Sequence, residues 1–273
     1  MKDTISFVIP CYNSSKTVEQ VVSNIIKTIQ KYYIYEIILV NDGSKDNTIE
    51  VITRLAKTNK KIKVIDFSKN FGQHAAVLAG LKNTKGSIIV CLDDDGQTPA
   101  SESPKLIKAI QDGYDVAWAK YKSKKHSLFR NFGSKVNSLM AEWLLNKPKD
   151  IYPNSFFACK SYIAKEMTKY QNPYPYLLGL TLQSTCNIVN VETDHCPRKI
   201  GKSNYSFSKL LSLWLNGFTS FSIKPLRISS FVGVASSLFG FIFGIIIIIR
   251  KLTDQTQVLG YSSIMAAILF IGQ

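Results

Sequence analysis

The chain has 273 residues, of which 45% are hydrophobic, and its formal net charge at pH 7 is +15. This length accommodates one large domain with an appendage. The excess charge lies in residues 101–227, directly before a long apolar segment, and no nucleic-acid-binding motif is visible, so a nucleic acid partner is disfavoured. The five cysteines show no Cys-x-x-Cys spacing, which argues against a zinc site or a disulfide framework.

Strands and helices are predicted to alternate along the first hundred residues. Short apolar runs indicate strands, and apolar residues recurring every three or four positions indicate helices. In chain order we predict strands at residues 5–9, 36–40, 62–67 and 87–92, and helices at 17–32, from 46 onwards and at 75–81. This pattern predicts an α/β fold, with a mostly parallel sheet and helices on both faces. Because crossovers between parallel strands are right-handed, the carboxyl ends of the strands should converge at one edge.

Polar residues follow each predicted strand. After the first three strands stand Pro10-Cys11-Tyr12-Asn13, Asn41-Asp42-Gly43-Ser44 and Ser68-Lys69-Asn70-Phe71-Gly72. Asp42 can accept hydrogen bonds from a nucleobase or ribose, and Tyr12 can stack on a base. Gly43 permits a tight turn whose backbone N–H groups face a ligand. Taken singly, each feature is better explained as a turn or as packing; together they predict one cleft.

Three consecutive carboxylates, Asp93-Asp94-Asp95, follow the fourth predicted strand. They repel one another unless a cation relieves them, and hard oxygen ligands suit Mg²⁺ or Mn²⁺. Mg²⁺ typically takes one or two carboxylates plus substrate phosphates, so a phosphate-bearing substrate is implied. The alternative is a solvated acidic turn. The position of the triplet beside Asp42 and Tyr12 favours the metal site.

The carboxyl-terminal part predicts a membrane anchor. Residues 228–249 contain no charge and have the length of a transmembrane helix, and a second apolar stretch, 258–273, is either a short helix or one cut by the end of the sequence. Residues 208–227, with Trp214, predict either an interfacial helix or a core helix that covers the sheet. Because no signal peptide is visible, we expect domain 1–207 in the cytoplasm. A basic region beside an anchor suits anionic lipid head groups or a phosphorylated lipid.

Several of these motifs resemble known signatures. The nucleotide-sugar-binding signatures of family 2 glycosyltransferases are similar to Val8-Ile9-Pro10-Cys11-Tyr12-Asn13, Val40-Asn41-Asp42-Gly43-Ser44-Lys45-Asp46-Asn47-Thr48 and Asp93-Asp94-Asp95-Gly96-Gln97. Residues 67–76 and 198–206 resemble the polyprenyl-phosphate branch, which includes dolichol-phosphate mannose synthases and bacterial undecaprenyl-phosphate sugar transferases. The resemblance implies a Rossmann-like domain of the GT-A type, followed by carboxyl-terminal transmembrane helices.

The same resemblance implies an activity. The enzyme would be membrane-anchored, would invert the anomeric configuration, and would move a sugar from a nucleotide-diphosphate sugar to undecaprenyl phosphate for cell-envelope glycan modification. We expect UDP, rather than GDP or dTDP, as the nucleotide. The catalytic domain would lie on the cytoplasmic face of the bacterial inner membrane, and the oligomeric state, a homo-oligomer included, stays open.

Individual residues acquire expected roles from the resemblance. Metal and diphosphate binding is implied for Asp93, Asp95 and Gln97. Nucleotide contacts are implied for Pro10, Tyr12 and Asp42, and Asp94, in the variable middle position of the metal motif, is grouped with them. Phosphate-facing arginines match Arg130 and Arg198. The acceptor phosphate is further expected to meet Lys120, Ser134, Lys202 and Ser203. Guanidinium groups suit this role because they bind phosphate oxygens bidentately and stay charged.

The predicted mechanism follows from the type of acceptor. A sugar hydroxyl needs a general base, whereas a lipid phosphate is already an anion at neutral pH. Residues 151–165 contain no carboxylate, and Asp150 is the nearest exception. We therefore predict direct displacement at the anomeric carbon by a phosphate oxygen. Two alternatives remain open: transfer to a sugar hydroxyl of a glycan or lipid-linked saccharide, and a non-catalytic nucleotide-sugar-binding membrane adaptor.

Overall fold

The computed structural model describes residues 3–121, 138–194, 220–253 and 264. Five of the residues expected at the acceptor phosphate lie outside this part of the chain: Arg130, Ser134, Arg198, Lys202 and Ser203. Most of segments 208–227 and 258–273 also lies outside it.

The described residues form alternating strands and helices. Through the fourth strand these are β1 Thr4–Cys11, α1 Val18–Ile29, β2 Ile34–Asn41, α2 Thr48–Thr58, β3 Ile62–Asp66, α3 Gln73–Lys82 and β4 Ile88–Cys91. Then come a 3₁₀ turn at Ala100–Glu102, α4 Ser103–Gln111, β5 Val116–Tyr121 and helical residues 138–145, here α5. The chain continues with β6 Phe157–Lys160, α6 Ser161–Met167, α7 Leu177–Ser184, β7 Ile188–Thr193 and α8 Lys224–Leu252. The predicted order of elements through β4 is confirmed.

The seven strands form one sheet in the order β3-β2-β1-β4-β6-β5-β7. Every neighbouring pair is parallel except the two that involve β6, which runs antiparallel to β4 and β5. The prediction of a mostly parallel sheet is therefore confirmed. Because β6 is reversed, its amino end meets the carboxyl ends of β1 and β4 at the same edge. The segment that enters β6 is thereby brought to the edge where the predicted site residues converge.

Each face of the sheet carries a hydrophobic core. On one face α1, α2 and α4 cover alternate side chains of β1, such as Ile5, Phe7 and Ile9. On the other face α3, α5, α6 and α7 cover residues such as Val8 and Ile89. The alternation follows from strand geometry, in which successive side chains point to opposite faces. Both faces of the sheet are therefore covered by helices, and a ligand site is expected at an edge, beyond the carboxyl ends of the strands.

The chain divides into two compact units, Met1–Phe221 and Ser222–Gln273. In the second unit, residues Lys224–Arg250 of α8 form a span that is long and apolar enough to cross a membrane. Its large side chains, such as Phe231 and Phe239, are mostly exposed, which distinguishes α8 from the core helix of a soluble domain. The predicted helix at 228–249 lies within it.

Candidate functional site

The loop after β1 is held by side chains from other strand ends. Four consecutive backbone N–H groups, those of Tyr12, Asn13, Ser14 and Ser15, donate to Asp94 Oδ2 (3.0 Å), Ser44 Oγ (3.0 Å), Thr48 Oγ1 (2.8 Å) and Asp46 Oδ2 (3.2 Å). These N–H groups are therefore used within the protein. A ligand at this edge meets the side chains of the loop, and the loop is not an amide cradle of the kind that binds phosphate.

Asp42 anchors the loop that follows β3. Its carboxylate is buried and accepts hydrogen bonds from the backbone N–H groups of Phe71 (2.7 Å) and Gly72 (2.9 Å). Burial raises the pKa of Asp42, and these two N–H groups oppose that rise. The nucleotide contact expected for Asp42 stays a prediction. The structure adds a second role, which is to fix the shape of residues 69–72.

Gly43 makes room for that same loop. Its φ is +61°, and a Cβ atom built on it would lie 2.4 Å from the carbonyl carbon of Lys69 and 2.5 Å from the nitrogen of Asn70. Two backbone N–H groups of the turn are paired internally, since Ser44 donates to Asn41 Oδ1 (3.3 Å) and Lys45 donates to Asn13 Oδ1 (2.8 Å). We expected this turn to direct its N–H groups at a ligand, and for the N–H groups of Ser44 and Lys45 that expectation is wrong. The glycine is needed for backbone packing.

The three aspartates after β4 have three different sets of partners. Asp93 accepts from Gln73 Nε2 at 2.6 Å and from Ser155 Oγ at 2.5 Å, on either side of the strand. Asp95 Oδ1 accepts from the backbone N–H of Gln97 at 3.0 Å, which closes the turn around Gly96. The triplet is therefore not a uniformly solvated acidic turn.

The second aspartate, Asp94, has a pKa raised above its usual value. Burial raises its pKa to about 6, against the N–H of Tyr12 and the hydroxyl of Ser14, which lower it; the charges of Asp93 and Asp95 raise it further. Its carboxylate is half-buried and directed at the loop after β1. The sequence motif assigns Asp94 only a variable position, whereas the fold provides it with a specific partner.

The carboxylates at this edge fit a metal ion that is shared with a substrate. Within residues 3–121, 138–194, 220–253 and 264, no three His, Cys, Asp or Glu side chains are arranged to hold a metal by themselves. Asp93 and Asp95 are nevertheless two carboxylates that could hold Mg²⁺ if substrate phosphates completed its coordination. The donor set is therefore suited to a divalent cation bound together with a diphosphate, and not to a closed protein cage.

A cavity of about 200 Å³ opens beside Asp93. Its apolar walls include Pro10, Leu92, Trp118, Phe157 and Leu178, and its polar lining includes Gln73, His74, Asp93, Asn154, Ser155, Tyr176 and Thr181. Much of the polar lining is hydrogen-bonded inside the protein. Thr181 Oγ1 donates to the Leu177 carbonyl (2.8 Å), and Asn154 Nδ2 donates to the Ala119 carbonyl (3.1 Å). The cavity therefore offers mainly apolar contact to a small ligand.

His74 in the cavity wall is neutral at physiological pH. Its Nδ1 accepts a hydrogen bond from the backbone N–H of Leu177 (3.1 Å), and its ring stacks on Tyr176 with 5.5 Å between centroids. Burial lowers its pKa to about 4. Because Nδ1 is the acceptor, the proton of the neutral ring is assigned to Nε2. His74 thus joins α3 to α7 and presents an N–H donor, not a cation.

Lys120 is the one residue expected at the acceptor phosphate that lies in the described part of the chain. It is exposed on β5, with its Nζ 4.7 Å from the centroid of the Tyr152 ring. The next residue, Tyr121, has its hydroxyl 3.4 Å from Asn154 Oδ1, in the cavity wall. The end of β5 therefore adjoins the site, although a phosphate contact by Lys120 stays a prediction.

Sequence reasoning missed four residues that contact Asp93 or the cavity: Gln73, His74, Asn154 and Ser155. Gln73 and His74 belong to a motif that carries the family resemblance, but the motif alone assigns them no chemistry. Ser155 lies just ahead of the apolar run Phe156-Phe157-Ala158. A polar residue before a strand reaches the site edge only if that strand is reversed, and the local pattern of β6 gives no sign of its direction.

Comparisons with known proteins identify the family. Residues 6–166 match the model of glycosyl transferase family 2. The chain is 30% identical over 251 residues to the undecaprenyl-phosphate 4-deoxy-4-formamido-L-arabinose transferase of Proteus mirabilis (strain HI4320), with 91% of this chain and 77% of the relative covered. The transferase of the same name from Yersinia pestis is 30% identical over 250 residues, with 91% and 76% covered.

Solved structures show the same fold. The chain is similar to glucosyl-3-phosphoglycerate synthase from Mycobacterium tuberculosis in complex with Mn²⁺ and UDP-glucose, with a TM-score of 0.57, 17% identity and 78% and 76% of the two chains covered. For the complex of that enzyme with Mn²⁺, UDP and phosphoglyceric acid, the TM-score is 0.59 at 18% identity, with 79% and 76% covered. At this identity the likeness shows the fold alone.

Proposed function

Because the chain belongs to glycosyl transferase family 2, we propose that it transfers a sugar from a nucleotide-diphosphate sugar to a polyprenyl phosphate. One observation carries the proposal: transferases named for undecaprenyl phosphate are 30% identical to this chain over 91% of its length. The likeness thus extends well beyond the family match at residues 6–166. The product is a sugar joined to the lipid through a single phosphate, and undecaprenyl phosphate is the proposed acceptor.

The donor is proposed to bind at the carboxyl edge of β1, β2 and β4. Pro10, Tyr12 and Asp42 are the proposed nucleotide contacts. The proposed diphosphate contacts are Asp93, Asp95 and Gln97, which would also hold a Mg²⁺ or Mn²⁺ ion. Support for UDP and for a divalent metal comes from the structurally similar synthase, which was crystallised with Mn²⁺ and UDP-glucose.

The cavity beside Asp93 supports a position for the transferred sugar. It adjoins the proposed diphosphate site, and its mainly apolar walls and internally bonded polar groups favour a sugar with few free hydroxyls. The relatives are named for 4-deoxy-4-formamido-L-arabinose, a sugar in which a formamido group replaces one hydroxyl. We propose a deoxy or acylamino sugar as the transferred group.

The proposed chemistry is direct displacement. An acceptor phosphate oxygen attacks the anomeric carbon, the bond from that carbon to the diphosphate breaks, and the nucleoside diphosphate leaves with inversion of configuration. The acceptor is already an anion, so no general base is required. A divalent ion held by Asp93 and Asp95 would act as a Lewis acid on the leaving diphosphate.

Basic and hydroxyl side chains are needed to bring two phosphate-bearing substrates together. The proposed set is Arg130, Arg198, Lys120, Lys202, Ser134 and Ser203. The positive charges of the arginines and lysines offset the repulsion between acceptor phosphate and donor diphosphate, and the serine hydroxyls can donate hydrogen bonds to phosphate oxygens. We further propose that α8 anchors the chain in the membrane and that residues 208–227 form an interfacial segment. Residues 1–207 would then lie on the cytoplasmic face of the bacterial inner membrane, where a polyprenyl phosphate presents its head group.

The test compares three acceptors with the purified full chain in detergent. A panel of UDP-, GDP- and dTDP-sugars is supplied with Mg²⁺ or Mn²⁺ and with undecaprenyl phosphate, undecaprenol or a lipid-linked saccharide. We expect transfer to the phosphate alone, a product labile to mild acid, and loss of at least a hundredfold in rate for Asp95→Asn. Asp112→Asn, an exposed aspartate beyond α4, is the matched control and should keep full rate.

Two outcomes would replace the proposal. An acid-stable product formed on a sugar hydroxyl would identify the hydroxyl-transferring alternative. Absence of transfer with every donor, together with a cellular role that survives Asp95→Ala, would identify a non-catalytic adaptor.

A further inference from the structure

Asp94 ties the aspartate triplet after β4 to the loop after β1. Its Oδ2 accepts the backbone N–H of Tyr12 at 3.0 Å, across 82 positions of sequence. A carboxylate makes this a charge-assisted hydrogen bond, about twice as strong as one between neutral groups. The contact fixes the backbone of the residue whose ring is proposed to meet the nucleotide.

The rest of the loop is anchored from another direction. The N–H groups of Asn13, Ser14 and Ser15 are held by side chains between β2 and the first turn of α2. Of these four consecutive N–H groups, only that of Tyr12 donates to a residue following β4. Removing the Asp94 carboxylate therefore releases the Tyr12 N–H and the contact with the Ser14 hydroxyl, and leaves the anchors of the three other N–H groups in place.

We propose that Asp94 is a positioning residue, which sets Tyr12 for the nucleoside of the donor and does not itself touch the nucleotide. The inference rests on the proposed function, in which Tyr12 is a nucleotide contact, and replaces the direct contact expected for Asp94 from the sequence. Two substitutions at position 94 separate the loss of the hydrogen bond from the loss of the charge. Asparagine at position 94 keeps an oxygen that can accept the Tyr12 N–H, whereas alanine has none.

The experiment measures UDP binding to the full chain in detergent by titration calorimetry, with Mg²⁺ in constant excess. We expect Asp94→Ala to raise the Kd about tenfold, since one hydrogen bond to a charged group is lost. Asp94→Asn should stay within about threefold of the wild type. The KM for the nucleotide sugar should rise with the Kd in Asp94→Ala, while kcat changes less than about twofold.

Thr48→Val is the matched control. Thr48 Oγ1 accepts the N–H of Ser14 and donates to Asp46, whose carboxylate holds the N–H of Ser15. Valine has nearly the same shape without the hydroxyl, so it loosens the other end of the loop and leaves the Tyr12 contact in place. The Kd of Thr48→Val for UDP should equal that of the wild type. A comparable rise in the Kd for UDP in Thr48→Val and Asp94→Ala would show that any loosening of the loop weakens binding, and would overturn the specific role of Asp94.

Other results also overturn the inference. Equal Kd values for wild type and Asp94→Ala would show that Tyr12 needs no such support. An equal rise in the Kd for UDP in Asp94→Asn and Asp94→Ala would show that the charge near the metal motif matters and not the hydrogen bond, since both substitutions remove the charge. If the wild-type chain binds none of UDP, GDP and dTDP, the nucleotide site of the proposed function fails first, and this inference with it. Should Asp94→Ala not fold, Asp94→Leu takes its place, because leucine has nearly the shape of aspartate and no oxygen to accept the Tyr12 N–H.

Discussion

Replacing Gly43 with alanine tests how the loops at the sheet edge hold one another. The position combines a φ of +61° with a backbone neighbour, Lys69, at 2.4 Å from the site of the new Cβ. Carbon atoms in contact lie about 3.5 Å apart, so the chain at Lys69 and Asn70 must move by about 1 Å. Because these atoms belong to the backbone, no side-chain rotation can relieve the clash.

The magnitude follows from two terms. A left-handed conformation costs an alanine about 1 kcal/mol relative to glycine. Movement of residues 69–70 also strains the hydrogen bonds by which the Asp42 carboxylate holds Phe71 and Gly72, and loss of one such bond costs about 2 kcal/mol. We expect Gly43→Ala to lower the free energy of unfolding by about 3 kcal/mol.

Gly96→Ala separates the two terms. Gly96 has a similar φ of +71°, but no atom lies within 4 Å of the position that its Cβ would occupy, so only the conformational term of about 1 kcal/mol remains. The assay is urea unfolding of the full chain in detergent, followed by tryptophan fluorescence. If Gly43→Ala destabilises the protein no more than Gly96→Ala, the close packing of the two loops is refuted.

Two further predictions concern buried groups. The pKa of His74 is about 4 in the folded protein and about 6.5 in the unfolded chain. Neutral His74 therefore contributes to stability above pH 6.5, and this contribution is lost as the pH falls towards 4. The free energy of unfolding should fall by up to about 3 kcal/mol over this range because of His74. His74→Asn, which can still accept the Leu177 N–H, should show a shallower fall in unfolding free energy between pH 6.5 and 4.5, and an unchanged slope would contradict the role of His74. The buried Lys147 donates to the carbonyls of Pro148 (2.9 Å) and Ile151 (2.8 Å). Lys147→Met should cost about 3 kcal/mol in urea unfolding because both carbonyls lose a charged donor, and a loss below about 1 kcal/mol would show that they find other partners.

The strands and helices through β4 can be predicted from the sequence because each is determined by residues that are close together in the chain. Alternating apolar runs and helical spacing predict β1 to β4 with their intervening helices, and the turn residues after each strand mark the edge of the site. The antiparallel direction of β6 depends on contacts across the sheet. Ser155 reaches Asp93 only through that direction, which the local spacing of apolar residues does not indicate.

The chemistry of single side chains is harder to predict than their location. Asp42 stands at a strand end, as a ligand-binding carboxylate would, yet its oxygens accept two backbone N–H groups of the next loop. The motif predicts a variable spacer at Asp94, and the structure shows its carboxylate bonded to Tyr12 instead. In both cases the partner is a backbone N–H more than 25 residues away, and such a partner leaves no signature in the sequence.

The central claim is that a phosphate oxygen of the lipid attacks the anomeric carbon directly. The most direct test is the structure of the purified lipid product, determined by mass spectrometry and by ¹H and ³¹P NMR. The account predicts one phosphate between sugar and polyprenol, coupling of the anomeric proton to that phosphorus, and an anomeric configuration opposite to that of the donor. A sugar joined to another sugar, a diphosphate linkage, or retained configuration would contradict it.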